Sequence, residues 1–186
     1  MITNRISFQT IQQIPAFRNL NESECHQLID IAHERVFAPG EKVIVQGKNS
    51  QDLWIVMEGK CQVVKESQHD GAVVLAELDP FSLFGEMSFF SPAPHSANVI
   101  AKTPVKLMRI ARVDYDDLIH DGVIAAYKLA YNVVESVAKR LRRMDDWVAE
   151  LNAHEHPSAN CPAADGKEKL PEWRQFRNKL FNGWNL

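Results

Sequence analysis

The sequence predicts an α+β fold: an antiparallel β roll of jelly-roll type, led by N-terminal helices and followed by one long C-terminal dimerisation helix. Three observations carry this. Short aliphatic runs, Lys42–Val45, Leu53–Met57, Cys61–Lys65, Val73–Leu78, Val99–Ala101 and Val105–Ile110, recur between glycine and proline turn signals, the pattern of an all-β barrel or roll. No long helical segments separate them, which argues against a parallel sheet. After the last run, Tyr127, Ala130, Val134, Val137, Leu141, Met144, Val148 and Leu151 advance by alternating steps of three and four, which is an unbroken heptad seam.

The elements follow in order. Phe8 to Ile14 has helical spacing and stops at Pro15. Asn21 then reads as the cap of a second helix, with Glu22 and Glu24 in its first turn and Leu28, Ile29 and Ala32 on its apolar face. Pro39-Gly40, Gly47 and Gly59 sit where strands reverse and a positive φ is often required. Ser67 to Gly71 is a polar turn, so Cys61–Lys65 and Val73–Leu78 pair as a hairpin. Asp114–Ile119 reads as a short helix, and Asp121-Gly122 precedes the long one. The expected organisation is a roll with N-terminal helices over 1–121, a dimer helix over 122–152, and a linker and short aromatic, basic tail over 153–186.

Twenty-one Lys and Arg stand against 24 Asp and Glu, a net charge of −3, so no global field favours nucleic acid or acidic lipid. Cys25, Cys61 and Cys161 form no CxxC pair. No apolar run approaches the roughly 20 residues of a membrane span, and the N-terminus has no leader pattern; a cytoplasmic protein is expected. The sequence offers no metal-ligand cluster, no cofactor motif, no phosphate-binding Walker pattern and no clear nucleophile–base pair, so an enzyme is not expected.

With Val134 at a and Val137 at d, the β-branched residues Val134 and Val148 sit at a positions, which suits two strands. Arg140 then falls at g and Asp145 at e of the next heptad, facing each other with opposite charge in a parallel dimer. A homodimer through the Tyr127–Leu151 seam is the expected assembly. The tail from Lys167 to Leu186 sets Trp173, Phe176, Leu180, Phe181 and Trp184 among Arg174, Arg177 and Lys179. It folds back on the roll or is partly disordered, with a membrane or partner role as the alternative. It is too short for a helix-turn-helix unit, so DNA binding is not expected.

Several motifs stand in a fixed order: Ile14-Pro15-Ala16-Phe17, Phe37-Ala38-Pro39-Gly40-Glu41, Gln46-Gly47, Asp52 to Gly59, and Phe84-Gly85-Glu86-Met87. Over residues from Ile14 to about Trp147 this order resembles the cyclic-nucleotide-binding domain of the catabolite activator protein and of kinase regulatory subunits. The resemblance implies that the segment from Gly85 opens a short helix whose N–H groups face a cyclic phosphate, and that Glu86 accepts from a ribose 2′-hydroxyl. It implies a ligand site of Phe84, Gly85, Glu86, Met87, His95, Ser96 and Ala97. Arg142, Arg143 and Asp145 of the dimer helix are candidates for contact with the base.

His95 departs from the family's pattern, which has arginine before Ser-Ala. Arginine is a permanent two-pronged donor. Histidine titrates near 6.5 and offers a single N–H when neutral. Losing a charged partner costs on the order of 1.5–3 kcal/mol, roughly 10- to 150-fold in affinity. An anion would favour the imidazolium, so tighter binding is expected at pH 6 than at pH 8. Pro92 and Pro94 stiffen the approach to His95. The expected function is a regulatory module sensing cAMP, cGMP or a related anion, weakened at His95. The alternative is a homodimeric protein-interaction module whose pocket has lost its ligand.

Overall fold

The computed structural model describes residues 8–67 and 71–155. Of the linker and aromatic tail expected over 153–186, residues 156–186 lie outside the described residues, and 153–155 continue the long helix.

Helix α1 (Phe8–Ile11) and a 3-10 turn (Pro15–Phe17) lead into α2 (Glu22–Asp30). Strands β1 (Ala32–Phe37), β2 (Lys42–Ile44), β3 (Asp52–Glu58), β4 (Cys61–Ser67), β5 (Gly71–Leu78) and β6 (Leu83–Phe84) follow. Then come α3 (Glu86–Phe90), β7 (Asn98–Ala101), β8 (Val105–Ala111), α4 (Arg112–His120) and α5 (Ile124–Glu155). The strands form two antiparallel four-stranded sheets, in the orders β1-β8-β3-β6 and β2-β7-β4-β5. This is the β roll that the sequence predicts.

The expected cap of α2 is present in full. Asn21 accepts from the Glu24 amide at 2.9 Å, and the Glu24 carboxylate accepts from the Asn21 amide at 2.8 Å, a reciprocal capping box. The helix is shorter than expected, however. It stops at Asp30, and Ala32, which the sequence reading placed on its apolar face, instead opens β1. β1 pairs with β8 alone, from Ala32 opposite Ile110 to Phe37 opposite Val105. Its middle, His33 to Arg35, is polar and exposed, as suits an edge strand, and that hides the alternation by which strands are recognised.

Alternate faces of the first sheet serve two cores. Trp54 and Val56 of β3 and Val105 and Leu107 of β8 face the roll interior, where they meet Ile44, Cys61, Phe84, Val99 and Ala101. Leu53, Ile55, Met108 and Ile110 face the other way, onto the helices. There they pack with Phe17, Leu28, Phe89, Tyr115 and the start of α5. β3 is therefore apolar on both faces, which accounts for its continuous Leu-Trp-Ile-Val run. At Gly59 a Cβ would come 2.2 Å from the Pro104 carbonyl oxygen, so the turn into β4 admits no side chain.

α5 carries two apolar faces. Ala125, Ala126, Leu129 and Val133 are buried in the helical core. Asn132, also buried, donates to the carbonyls of Ala16 and Arg18 at 3.0 and 2.6 Å. A second stripe, Ile124, Tyr127, Tyr131, Val134 and Val137, is exposed, with Tyr131 at 70% and Val134 at 65%. Of the heptad seam of the sequence, Tyr127, Val134, Val137 and Met144 are exposed. The chain divides into two compact units, Met1–Leu141 and Arg142–Leu186. Among the described residues, no helix is long and apolar enough to cross a membrane.

Candidate functional site

The site is built where β6 hands over to α3. Gly85 adopts φ +83°, and a Cβ there would stand 2.5 Å from the Asp52 carbonyl oxygen and 3.2 Å from the Trp54 ring. Only glycine makes this turn against β3. Phe84, just before it, is buried and stacks parallel to Trp54, centroids 6.3 Å apart, so it forms part of the roll's inner wall. Met87 is 66% exposed.

Glu86 is the first residue of α3, and its side chain is only 7% exposed. A buried carboxylate needs a partner. Arg140 of α5 supplies it, with Nη1 3.0 Å from Oε1, while Nη2 donates to the Leu83 carbonyl at 3.4 Å. The heptad reading pairs Arg140 with Asp145 across a dimer; within its own chain Arg140 meets Glu86. The guanidinium is committed to a carboxylate of its own chain because that carboxylate is buried and otherwise uncompensated. The sequence held no sign of this contact, since the two residues are 54 positions apart.

His95 is buried. Its Nε2 is 2.8 Å from Ser50 Oγ and its Nδ1 is 3.0 Å from Ser88 Oγ. Burial pushes its pKa below the ordinary value, and the Asp52 charge opposes this more weakly. A neutral ring carries one N–H, so it donates to one serine and accepts from the other. Both ring nitrogens are engaged within the protein. The backbone is held too: the His95 amide donates to the Lys48 carbonyl and the Gly47 amide to the His95 carbonyl, each at 2.9 Å. These contacts and the lowered pKa work against the expected imidazolium donor. Pro92, Ala93 and Pro94 are exposed, and with Asn49, Ser50 and Gln51 they line a surface depression of about 440 Å³.

Beyond His95, Ser96 is exposed and Ala97 is buried at the entry to β7. Lys65 of β4 donates from Nζ to the Ser96 carbonyl at 2.5 Å. A polar network pins the backbone alongside. Asn98 accepts from the Gln46 amide at 3.0 Å and donates to the Glu66 carboxylate at 2.9 Å, and the Gln46 side chain binds both backbone groups of Glu66. The structure therefore links Glu86 to Arg140, and Ser88 of the same short helix to His95. Arg142, Arg143 and Asp145 are exposed on α5 in the second unit.

Sequence reasoning missed Arg140, Lys65, Ser50 and Ser88. Lys65 had a signal, because it lies two residues from Val63 and so on the same strand face. The cysteines described here, Cys25 and Cys61, are buried, and burial raises both thiols to about 11, which keeps them protonated.

Three comparisons bear on this geometry. Residues 34–122 match the cyclic nucleotide-binding domain family. The chain is 30% identical over 131 residues to the cyclic AMP receptor protein of Thermus thermophilus, covering 70% of this chain and 59% of that protein. It is 33% identical over 106 residues to a cAMP-dependent protein kinase regulatory subunit of Yarrowia lipolytica, covering 57% of this chain and 27% of that protein. It thus spans less than two thirds of either relative. The crystal structure of the Thermus thermophilus catabolite activator protein superposes with a TM-score of 0.67 at 29% identity, over 74% of this chain and 63% of that one.

Proposed function

Residues 34–122 belong to the cyclic nucleotide-binding domain family, and from this premise we propose that the protein is a regulatory module that binds cAMP, cGMP or a related phosphate-bearing ligand in the segment Phe84–Ala97 and reports occupancy through α5. One observation carries the coupling. Glu86, the residue that the resemblance assigns to a ribose hydroxyl, is also the carboxylate that holds Arg140 of α5. An ionised carboxylate accepts several hydrogen bonds, so a ligand hydroxyl on Glu86 competes with or reorients the Arg140 contact. That biases the helix leaving the domain, as a ligand that distinguishes two states must.

In this reading His95 is a strut. Locked between Ser50 and Ser88, it fixes the loop that carries Ser96 and Ala97 without donating to the ligand. α5 pairs two copies through the Tyr127–Leu151 seam. The region 153–186 is left for a protein partner, and the module acts in the cytoplasm, without catalysis of its own.

The second reading is an interaction module with no ligand. The internal satisfaction of both His95 nitrogens favours it. Calorimetric titration with cAMP and with cGMP separates the two. Saturable binding of either, at micromolar Kd or tighter, supports the sensor; no heat from either at millimolar ligand leaves the interaction module.

A further inference from the structure

An anion held in this segment needs a compensating charge, and His95 is neutral and engaged elsewhere. The ladder between β4 and β7 brings a permanent cation to the place. Cys61 pairs with Ala101, Val63 with Val99 and Val64 with Asn98. Residues paired across strands share a face of the sheet. Cys61, Val99 and Ala101 lie in the inner core of the roll, and Val63 packs against them. Lys65 lies two residues beyond Val63 on β4, so it leaves the strand on the same side, with its ammonium exposed at the end of the ladder. Lys65 Nζ reaches the Ser96 carbonyl at 2.5 Å, on the residue next to the strut.

Three nearby cations are held by carboxylates: Arg140 by Glu86, Arg109 by Asp52 at 2.7 Å, and Lys42 by Glu66 at 3.2 Å. Lys65 is different. Its described partner is a neutral carbonyl, which takes one of its three N–H donors and none of its charge.

We propose that Lys65 is the anion-binding cation of this site, replacing from β4 the charge that the loop does not carry at His95. This rests on the reading of Phe84–Ala97 as a phosphate site. An ammonium is a compact point charge without the planar fork of a guanidinium. The contact is therefore single-pronged, and it tolerates variation in the anion's geometry.

The test is calorimetric titration of the full chain with cAMP, and with adenosine as a probe lacking the phosphate, for the wild type, Lys65→Met and Lys65→Arg. Lys65 is exposed, so both variants should fold, which circular dichroism checks. Lys65→Met should weaken cAMP binding at least tenfold and flatten its salt dependence, with adenosine binding unchanged. Lys65→Arg should stay within about threefold of the wild type. If the wild type binds cAMP and Lys65→Met binds it equally well, Lys65 is not the cation, and the sensor reading stands. If Lys65→Met weakens cAMP and adenosine alike, the side chain acts by shaping the pocket, and the proposal fails. If the wild type binds neither cAMP nor cGMP, the phosphate site and the role of Lys65 fall together.

Discussion

Arg140 Nη1 stands 3.0 Å from the Glu86 carboxylate, across 54 residues of sequence and between two different helices. Glu86 is almost fully buried and Arg140 is half-exposed. Each therefore has a distinct energetic role: one is a charge withdrawn from water, and the other is the solvated group that makes the withdrawal tolerable.

Removing Arg140 should destabilise the fold through what it leaves behind. Breaking a fully buried pair costs about 3–5 kcal/mol. Solvent reaches Arg140 and screens it, so Arg140→Met should cost about 1–2 kcal/mol. Adding Glu86→Gln should recover part of the loss, because the stranded charge is then gone. Urea unfolding of both single variants and the double variant checks this. Strict additivity would mean that the two side chains do not interact in solution.

The burial of His95 predicts a stability change in mild acid. Its folded pKa lies below the unfolded value near 6.5. The unfolded chain therefore binds the proton more readily, and stability rises with pH in that interval. The contribution is fully present above about pH 6.5 and is lost as pH falls through the folded pKa. Denaturation midpoints at pH 7.5, 6.5 and 5.5 should show a drop that His95→Asn lacks, and equal slopes would remove His95 as the cause. Cyclic nucleotide affinity, in contrast, should be nearly flat from pH 6 to pH 8. A rise of threefold or more at pH 6 would return the imidazolium to the ligand.

The exposed stripe of α5 predicts association. Val134 and Val137 are exposed, so Val134→Lys with Val137→Lys removes the stripe without opening the core. The double variant should sediment as a folded monomer where the wild type is a dimer at micromolar concentration. Leu129→Lys, on the buried face, should unfold instead. A wild type that is already monomeric at that concentration would leave the stripe without a second copy.

Duplex DNA should not bind with sequence preference at physiological salt. The net charge is −3, and the positively charged stripe of a DNA reader has no counterpart in the sequence. Nanomolar binding that survives competitor DNA would overturn this.

The roll was legible because its strands are short, evenly spaced and bounded by glycines, and because β3 reads as an uninterrupted apolar run. β1 was not, since an edge strand whose middle is polar and exposed resembles a helix end. The segment around Gly85 and Glu86 was legible as a motif. The partners of its side chains were not, because local sequence does not encode contacts such as Arg140 with Glu86 or Ser50 with His95. The α5 seam was read correctly as apolar, but the heptad could not show that the helix has another apolar face, turned toward its own core. That second face explains why Arg140 points at Glu86.

β3 belongs to both cores at once, with Leu53 and Ile55 turned to the helices and Trp54 and Val56 to the roll. Neither core can melt while the other keeps this strand in place. Its backbone amides should thus be among the last in the molecule to exchange with deuterated solvent, at rates that track global unfolding. A substitution such as Ile55→Ala, aimed at the helical side, should shorten the protection of Val99 and Ala101 across the roll as much as that of Leu28.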